Sequence, residues 1–435
     1  MIKTNLKLIL LLFILGFNLP NLLFSQEIQS PSDSIGYENN DNLGGPKSVG
    51  RQLEVNNNKV LFKHRFEGQT LKKLYDWKAR LNEKHGLKLG IYYTSVYLHS
   101  SQTISSDNIN YAASGILDLQ AGWTLIGHKT QKNTGTFYIK INSRHLYTGA
   151  NSTSPMFHGV SESGYYGLPA AAFRKYSIRI NELNWQQNLF NNRAGFVVGK
   201  VDMTNYFNFH GLVIPWQHFI GYGSSLSGTV NWGNQGLGAV VMGRPTEKLY
   251  VMAGIVDVYG DRYKDGQFLD FGSYFMDGKF MYMGEIGFVP NYAERYYKKI
   301  SVTAWYSDSY TNFSDNFVGS GQGIAISSHW FIQQKYAPYI RFGISNGVGE
   351  NTFYKTDIQI GHAILFRTYD MLGTSVSWNK PNIGGEDQYT AEVFYRFTLS
   401  SHLEITPSTQ LIINPALIPD KSSLFYFGIR GRATF

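Results

Sequence analysis

The sequence predicts an all-β fold, a transmembrane antiparallel β-barrel with a short N-terminal helix. Three observations support this prediction. Charged residues make up only 16% of the chain, whereas aromatic residues make up 15%. Apolar and polar residues alternate with period two over most of the chain, and the mean hydropathy is −0.23 because the two faces of each strand average out. The last alternating stretch ends on an aromatic residue, Phe435.

The composition also excludes several classes of protein. The 435 residues suffice for one large domain, but the charged fraction is below the roughly 25% that is usual for soluble proteins. The chain has no Cys, so disulfides, thiolate nucleophiles and Cys-ligated metals are impossible. The net charge of +8 is spread along the chain without a concentrated basic patch, and we therefore expect no nucleic-acid partner.

The first segment, residues 1–25, is predicted to be a signal peptide. Lys3 and Lys7 precede an apolar run at 8–17, and Ser25 is a small residue suited to cleavage. The apolar run is too short to span a bilayer as a helix. No later stretch reaches eighteen consecutive apolar residues, so a membrane-spanning form of this chain must be a closed barrel.

Two short segments separate the signal peptide from the barrel. Residues 26–68 are rich in Asn, Ser and Gly and predict a flexible periplasmic arm. Residues 69–86 predict an amphipathic periplasmic helix, because apolar residues recur at helical spacing at Leu71, Leu74, Tyr75 and Leu81 and a glycine follows. This helix could narrow the channel mouth or simply rest on the barrel rim.

Residues 87–435 predict the transmembrane barrel itself. In Phe137–Asn142, Phe280–Phe288 and Tyr389–Leu399, one face is apolar and aromatic and the other is mostly polar. A soluble sandwich also alternates, but aromatic residues dominate the apolar face here, as in the girdles of membrane barrels. At roughly ten residues per strand plus loops, this length accommodates about 14 to 18 strands. Barrels of 16 to 18 strands leave an aqueous channel.

The final strand has the clearest pattern. Phe425, Phe427 and Ile429 alternate with Tyr426 and polar residues up to the C-terminal aromatic residue. A terminal Phe that closes an alternating strand resembles the signal read by the outer-membrane barrel assembly machinery. We therefore expect Phe435 to contact that machinery and the barrel wall to contact outer-membrane lipid.

No catalytic motif is visible in the sequence. HExxH, P-loop and Rossmann patterns are missing, and the 11 His have no metal-ligand spacing. We expect neither enzyme activity nor a cofactor or metal, although a Ser/His pair assembled in space on the barrel wall stays an alternative.

Charged side chains on the polar face of the strands are the candidate site residues. A charge that faces mid-bilayer lipid costs a barrel about 2–4 kcal/mol, so charges collect in the lumen. The alternation around each strand predicts the following lumen-facing, solute-binding residues: Arg179, Lys200, Asp202, Arg341, Glu392, Arg396, Arg430 and Arg432. For Lys200 and Asp202 the prediction assumes that Val197 and Val201 lie on the opposite face.

Three tryptophans are candidates for stacking on sugar rings, namely Trp185, Trp216 and Trp232. The alternative is that they belong to the aromatic girdles at the membrane interfaces.

Two blocks of sequence resemble the carbohydrate-selective porin (OprB) family. The first lies between Arg179 and Asp261 and includes the stretches 181–187, 199–202 and 250–257. The second is C-terminal and includes Ala391–Arg396, Ile405–Gln410, Asn414-Pro415, Gly428–Arg430 and Phe435. Together the blocks cover about a third of the chain.

The resemblance implies a sixteen-stranded barrel with an N-terminal periplasmic helix in the bacterial outer membrane. It also implies passive diffusion of mono- and oligosaccharides through a water-filled lumen. A general or anion-preferring pore without sugar selectivity is the alternative, which the arginines of the lumen motivate. A barrel with a plugged lumen is a further one. The oligomeric state is left open between monomer and trimer.

Overall fold

The computed structural model describes residues 43–57, 71–104, 109–149, 152–260, 268–269, 275–333, 335–366, 370–400 and 402–435. The signal peptide predicted for residues 1–25 lies outside the described residues, as do residues 26–42 and 58–68 of the predicted arm.

Among the described residues, sixteen antiparallel strands form one closed barrel, in which each strand pairs with its neighbours in the chain and the first pairs with the last. The strands are β1 Leu87–Ser100, β2 Tyr111–Ile126, β3 Gly135–Leu146, β4 Tyr176–Leu189, β5 Ala194–Val201, β6 Gly236–Gly243, β7 Leu249–Asp257, β8 Phe280–Phe288, β9 Lys298–Ser307, β10 Gly321–Trp330, β11 Tyr339–Ser345, β12 Tyr354–Phe366, β13 Asp370–Pro381, β14 Gln388–Ser400, β15 Leu403–Ile413 and β16 Ser423–Thr434. A two-stranded hairpin, Tyr310–Thr311 with Phe317–Val318, lies in the loop after β9. The predicted number of strands is confirmed.

The barrel closes between β1 and β16. Tyr92 is opposite Thr434 in the register, and the backbone groups of Ile91 and Phe435 exchange two hydrogen bonds, of 3.1 and 2.8 Å. Closure pairs the backbone groups of both edge strands, which a bilayer requires because lipid tails offer no hydrogen-bond partner. In the parts of the chain that the structure describes, none of the helices is long and apolar enough to cross a membrane.

The strand faces follow the predicted alternation over most of the wall. In β8, Tyr282, Ile286 and Phe288 are exposed on the outer face, whereas Glu285 is buried on the inner one. In β16, Phe425, Phe427 and Ile429 are exposed and the intervening Tyr426, Arg430 and Arg432 are buried. Apolar side chains therefore cover the outside of the barrel and polar ones point into its lumen.

One stretch of the wall departs from this prediction. In β5, Val198 is 49% exposed on the outer face, whereas Val197 and Val201 are fully buried. The prediction that these two valines face away from the lumen is wrong. They pack with Val240, Met252 and Phe207 in a core that fills this side of the lumen.

Two helices precede the barrel. Helix α1, Val49–Asn57, lies in the segment predicted to be a flexible arm. That prediction is wrong for residues 43–53, because Leu43, Val49 and Leu53 are buried. Helix α2, Lys72–His85, occupies the region predicted to be helical and ends at Gly86, whose positive φ of 67° suits a glycine C-cap.

Helix α2 is fastened to the rim where β1 begins and β16 ends. The Tyr75 hydroxyl donates to the Thr434 carbonyl over 3.1 Å, and Lys78 Nζ donates to the Phe435 carbonyl over 3.0 Å. At the other end of the helix, Trp123 Nε1 donates to the His85 carbonyl over 3.0 Å. The helix thus lies along the rim and leaves the lumen to other segments.

Candidate functional site in the barrel lumen

The lumen contains a long connection between β5 and β6, residues 202–235, which we call the inner loop. It carries a short helix, α3 Tyr222–Ser225, and most of its residues between 203 and 232 are buried. Apolar side chains of the loop, such as Phe207, Val213 and Val230, pack against the inner faces of β5 to β8. One side of the lumen is therefore filled with a hydrophobic core.

Charged side chains of the wall hold the backbone of the inner loop. The guanidinium of Arg341, which is fully buried, donates to the Asn208 carbonyl over 2.7 Å and to the Ser225 carbonyl over 3.3 Å. The Glu392 carboxylate accepts from the backbone N–H groups of Ile220 and Gly221 over 2.7 and 2.9 Å. Both residues are also buried, so their charged groups are engaged mainly by the fold, and only Nε of Arg341 has no partner among the described residues.

Three further wall residues anchor the loop in the same way. Glu285 accepts from the backbone N–H of Asn208 over 2.7 Å, and Asp357 accepts from that of Gly228 over 2.8 Å. Gln359 donates to the Leu226 carbonyl over 2.8 Å. The anchors are spread from β8 to β14, so the loop is fixed along its whole length.

Asp202 clamps the two ends of the inner loop together. Its carboxylate accepts from the backbone N–H and hydroxyl of Thr204 over 3.0 and 2.6 Å, and from Gln235 Nε2 over 2.8 Å. Burial alone would raise the pKa of Asp202, but nearby Lys47 and these hydrogen bonds lower it below its ordinary value. The group is therefore a carboxylate at neutral pH.

The N-terminal segment, residues 43–57, enters the lumen and touches the inner loop. Lys47 Nζ donates to Thr204 Oγ1 over 2.6 Å, and the hydroxyl of Tyr296, in the connection between β8 and β9, donates to the Gly44 carbonyl over 2.7 Å. The Arg51 guanidinium lies 4.7 Å from the centre of the Tyr296 ring. This segment therefore occupies part of the lumen, in addition to the inner loop.

A third segment, residues 152–175, covers the inner loop from the other end of the barrel. The backbone N–H of Ala171 donates to the Ile220 carbonyl over 2.8 Å, and that of Tyr222 donates to the Leu168 carbonyl over 2.8 Å. These two bonds tie it directly to the middle of the inner loop.

Polar side chains of β2 and β14 to β16 line the remaining part of the lumen. We call this set the polar strip, and its members are Asp118, Gln120, Arg396, Glu404, Arg430 and Arg432. The inner loop faces it with Trp216, Gln217 and His218, since Arg430 Nη1 donates to the Pro215 carbonyl and Gln217 Nε2 lies 3.5 Å from Glu404 Oε2.

Several atoms of the polar strip have no protein partner. Among the described residues, none lies within hydrogen-bond distance of Asp118 Oδ1, Gln120 Oε1, or Nε and Nη2 of Arg430 and Arg432. A buried polar atom without a partner costs about 1–3 kcal/mol. The strip therefore holds buried donors and acceptors that the described protein groups do not satisfy.

Comparison with known proteins agrees with this architecture. Residues 170–337 and 363–435, more than half of the chain, match the family described as carbohydrate-selective porin, OprB family. The chain belongs to this porin family.

One solved structure supports the fold. A high-pH structure of OprB from Pseudomonas putida is 13% identical, covers 87% of this chain and 100% of its own, and has a TM-score of 0.67. A porin variant from Rh. blastica is 11% identical, covers 80% of this chain and 100% of its own, and has a TM-score of 0.48. No curated protein matches the sequence of the chain. This porin is accordingly a β-barrel of the bacterial outer membrane.

The predicted site residues of the porin lie at several different places. Arg396, Arg430 and Arg432 lie in the polar strip, with Glu392 beside them on β14. Arg341 lies across the lumen among the anchors of the inner loop, and Asp202 at the ends of that loop. The remaining two, Arg179 and Lys200, are both 1% exposed, and Arg179 lies 5.0 Å from the ring of Tyr176.

The three candidate tryptophans also separate. Trp185 is on the wall, opposite Phe137 and Val198 in the register and therefore on the outer face. Trp216 and Trp232 belong to the inner loop and are buried, so the girdle alternative is wrong for both. Lys140 Nζ lies 5.2 Å from the ring of Trp216.

The sequence analysis missed the inner loop and its partners Glu285, Asp357 and Gln359. One signal was present, because residues 203–232 are rich in apolar residues but have neither strand nor helix periodicity. A connection of this length is uncommon unless it has a function.

Proposed function

We propose that the porin passes carbohydrates by passive diffusion along the polar strip, between the wall strands β14 to β2 and the inner loop. The unpartnered polar atoms of the strip carry this proposal. Asp118 and Gln120 offer acceptors, whereas Arg430 and Arg432 offer donors. A sugar hydroxyl both donates and accepts, so a wall that offers both kinds of group matches a polyol along its length.

An aromatic ring borders this path. The side chain of Trp216 is 8% exposed to solvent, and its indole Nε1 lies 3.4 Å from Gln52 Oε1 of the N-terminal segment. A flat ring beside hydrogen-bonding groups suits the apolar face of a pyranose, because such sites combine apolar area with a few well-placed polar groups. Trp216 therefore supplies the surface along which a sugar ring slides.

The anchored segments set the width of the path. The anchors Arg341, Glu392, Glu285 and Asp357 hold the inner loop, and Lys47 holds the N-terminal segment against it. We assign these charges to positioning and the polar strip to contact with solute. The family and the fold indicate a channel rather than an enzyme.

Liposome swelling with purified, refolded porin tests this proposal. The solutes are a monosaccharide, a disaccharide and a trisaccharide, each compared with an uncharged non-sugar polyol of matched size. We expect faster swelling with the sugars, and a smaller advantage in Trp216→Ala. Equal rates at matched size would make the porin a general diffusion pore, and no swelling with any solute would contradict the channel.

A further inference from the structure

Three arginines and one histidine come together where β14 and β16 face the inner loop. Arg396, Arg430 and Arg432 are all at least nine-tenths buried, as is His218. Burial, followed by the fields of these three arginines, lowers the pKa of His218 well below its ordinary value. The arginines are therefore close enough to one another and to His218 to act on the same small region of the lumen.

Acidic side chains neutralise this cluster only in part. Among the carboxylates, Glu392 has the strongest electrostatic effect on Arg430. Its two oxygens already accept the backbone N–H groups of Ile220 and Gly221. Glu404 Oε2 lies 3.9 Å from Arg432 Nη1, beyond hydrogen-bond distance. Neither these two carboxylates nor Asp118 on β2 lies within hydrogen-bond distance of Nε or Nη2 of Arg430 or Arg432 among the described residues.

The unpartnered atoms of the two β16 arginines have a specific geometry. Nη1 of Arg430 donates to the Pro215 carbonyl, and Nη1 of Arg432 donates to Thr434 Oγ1 over 3.0 Å. In both residues the atoms left without a partner among the described residues are Nε and Nη2. These two N–H groups form the parallel fork with which a guanidinium binds both oxygens of a carboxylate.

We infer that Arg430 and Arg432 bind the carboxylate of an acidic sugar, such as a hexuronate, as it passes along the polar strip. The inference rests on the proposed function and names a substrate class for it. A carboxylate supplies the two oxygens that one guanidinium fork requires. His218 Nδ1, which is buried and unpartnered in the described chain, faces the same region and can bond a ring hydroxyl.

The ring hydroxyls distinguish an acidic sugar from a simple carboxylate. Asp118 and Gln120 on β2 offer acceptors beyond Arg432 toward the end of β16, since Tyr92 is opposite both Asp118 and Thr434 in the register. A hexuronate can place its carboxylate on a guanidinium fork and donate hydroxyls to these acceptors. Acetate can make only the first contact.

The test is blockage of ion current through the full-length porin in planar bilayers, titrated with glucuronate, glucose and acetate. We expect glucuronate to block at a half-saturating concentration at least about tenfold below those of glucose and acetate. Arg432→Gln is the main variant, because the hydrogen bond of Arg432 to Thr434 stays within β16, and it should abolish that difference. Arg193→Gln is the control, because Arg193 is an exposed residue of the turn between β4 and β5 and should leave the difference unchanged.

Each outcome has a separate meaning. Equal blockage by acetate and glucuronate would overturn the assignment to acidic sugars, as would a preference that survives in Arg432→Gln. Arg430→Lys keeps the charge but removes the fork, so a weakened preference there supports bidentate binding. Glucose entry in the swelling assay without any preference for glucuronate would refute this inference and leave the proposed function standing. A glucuronate preference without glucose entry would refute the proposed passage of neutral sugars and leave the binding of acidic sugars standing. Folding of each variant is checked by the heat-dependent electrophoretic migration of intact barrels.

Discussion

Replacing Glu392 by Gln should loosen the inner loop without changing the volume of the side chain. Glu392 is fully buried on β14, and its carboxylate accepts two backbone N–H groups, from Ile220 and Gly221, over 2.7 and 2.9 Å. An amide keeps one acceptor oxygen but places an NH₂ group against the second N–H. Two donors then face each other in a site with no room to turn away.

The expected size of this effect follows from the two hydrogen bonds. A hydrogen bond to a charged group contributes about 1.5–3 kcal/mol, and a buried donor left unpaired costs about 1–3 kcal/mol. Loss of one bond and weakening of the other should destabilise the docked loop by about 2–4 kcal/mol. Each 1.4 kcal/mol corresponds to a factor of ten, so the undocked population should rise roughly thirtyfold or more.

Single-channel recording and limited proteolysis measure this change. We expect Glu392→Gln to show a larger and noisier conductance, because the loop leaves the lumen more often, and faster cleavage within residues 202–235. Glu247→Gln is the control, because Glu247 is exposed and pairs only at the surface with Arg193 and Arg244, where ion pairs contribute little. Unchanged conductance and unchanged protection in Glu392→Gln would refute the anchoring role of this carboxylate.

Three further predictions concern other contacts of the porin. Burial, opposed by Asp202, lowers the pKa of Lys47 from its ordinary value of 10.5 to about 8. Between these two pH values the docked N-terminal segment therefore holds fewer protons than the undocked segment, and docking becomes more favourable as the pH rises. Protease protection of residues 43–57 should therefore increase from about pH 7.5 to about pH 9.5, and a Lys47→Met variant that keeps the increase would contradict this. Gly343→Ala would bring a methyl group against Thr229 and Asp357 and should lower stability by about 1–3 kcal/mol in thermal unfolding; in Gly284→Ala, where nothing lies within 4 Å, we expect no such loss. Deletion of Phe435, whose backbone closes β1 on β16, should reduce the folded barrel recovered from outer membranes several-fold, and equal recovery would argue against a role in assembly.

The strands could be predicted because their signal is local. In β8 the predicted stretch and the observed strand have the same bounds, Phe280–Phe288, and the same outward residues. Lipid outside and water or protein inside impose opposite preferences on successive side chains. The arginines of β16 were placed on the lumen side for the same reason, since a charge facing lipid is costly.

The contents of the lumen could not be predicted, because they depend on contacts between residues far apart in the chain. Val197 is apolar yet faces inward, since the inner loop turns that half of the lumen into a hydrophobic core. Period-two alternation cannot distinguish this core from lipid. Likewise, Arg341 and Glu392 face inward, as predicted. Nothing near them in the sequence indicates that Arg341 would donate to the Asn208 carbonyl or that Glu392 would accept from the Ile220 N–H. A single strand therefore specifies which way a charge points, whereas only the folded loop determines whether that charge meets a solute or the protein's own backbone.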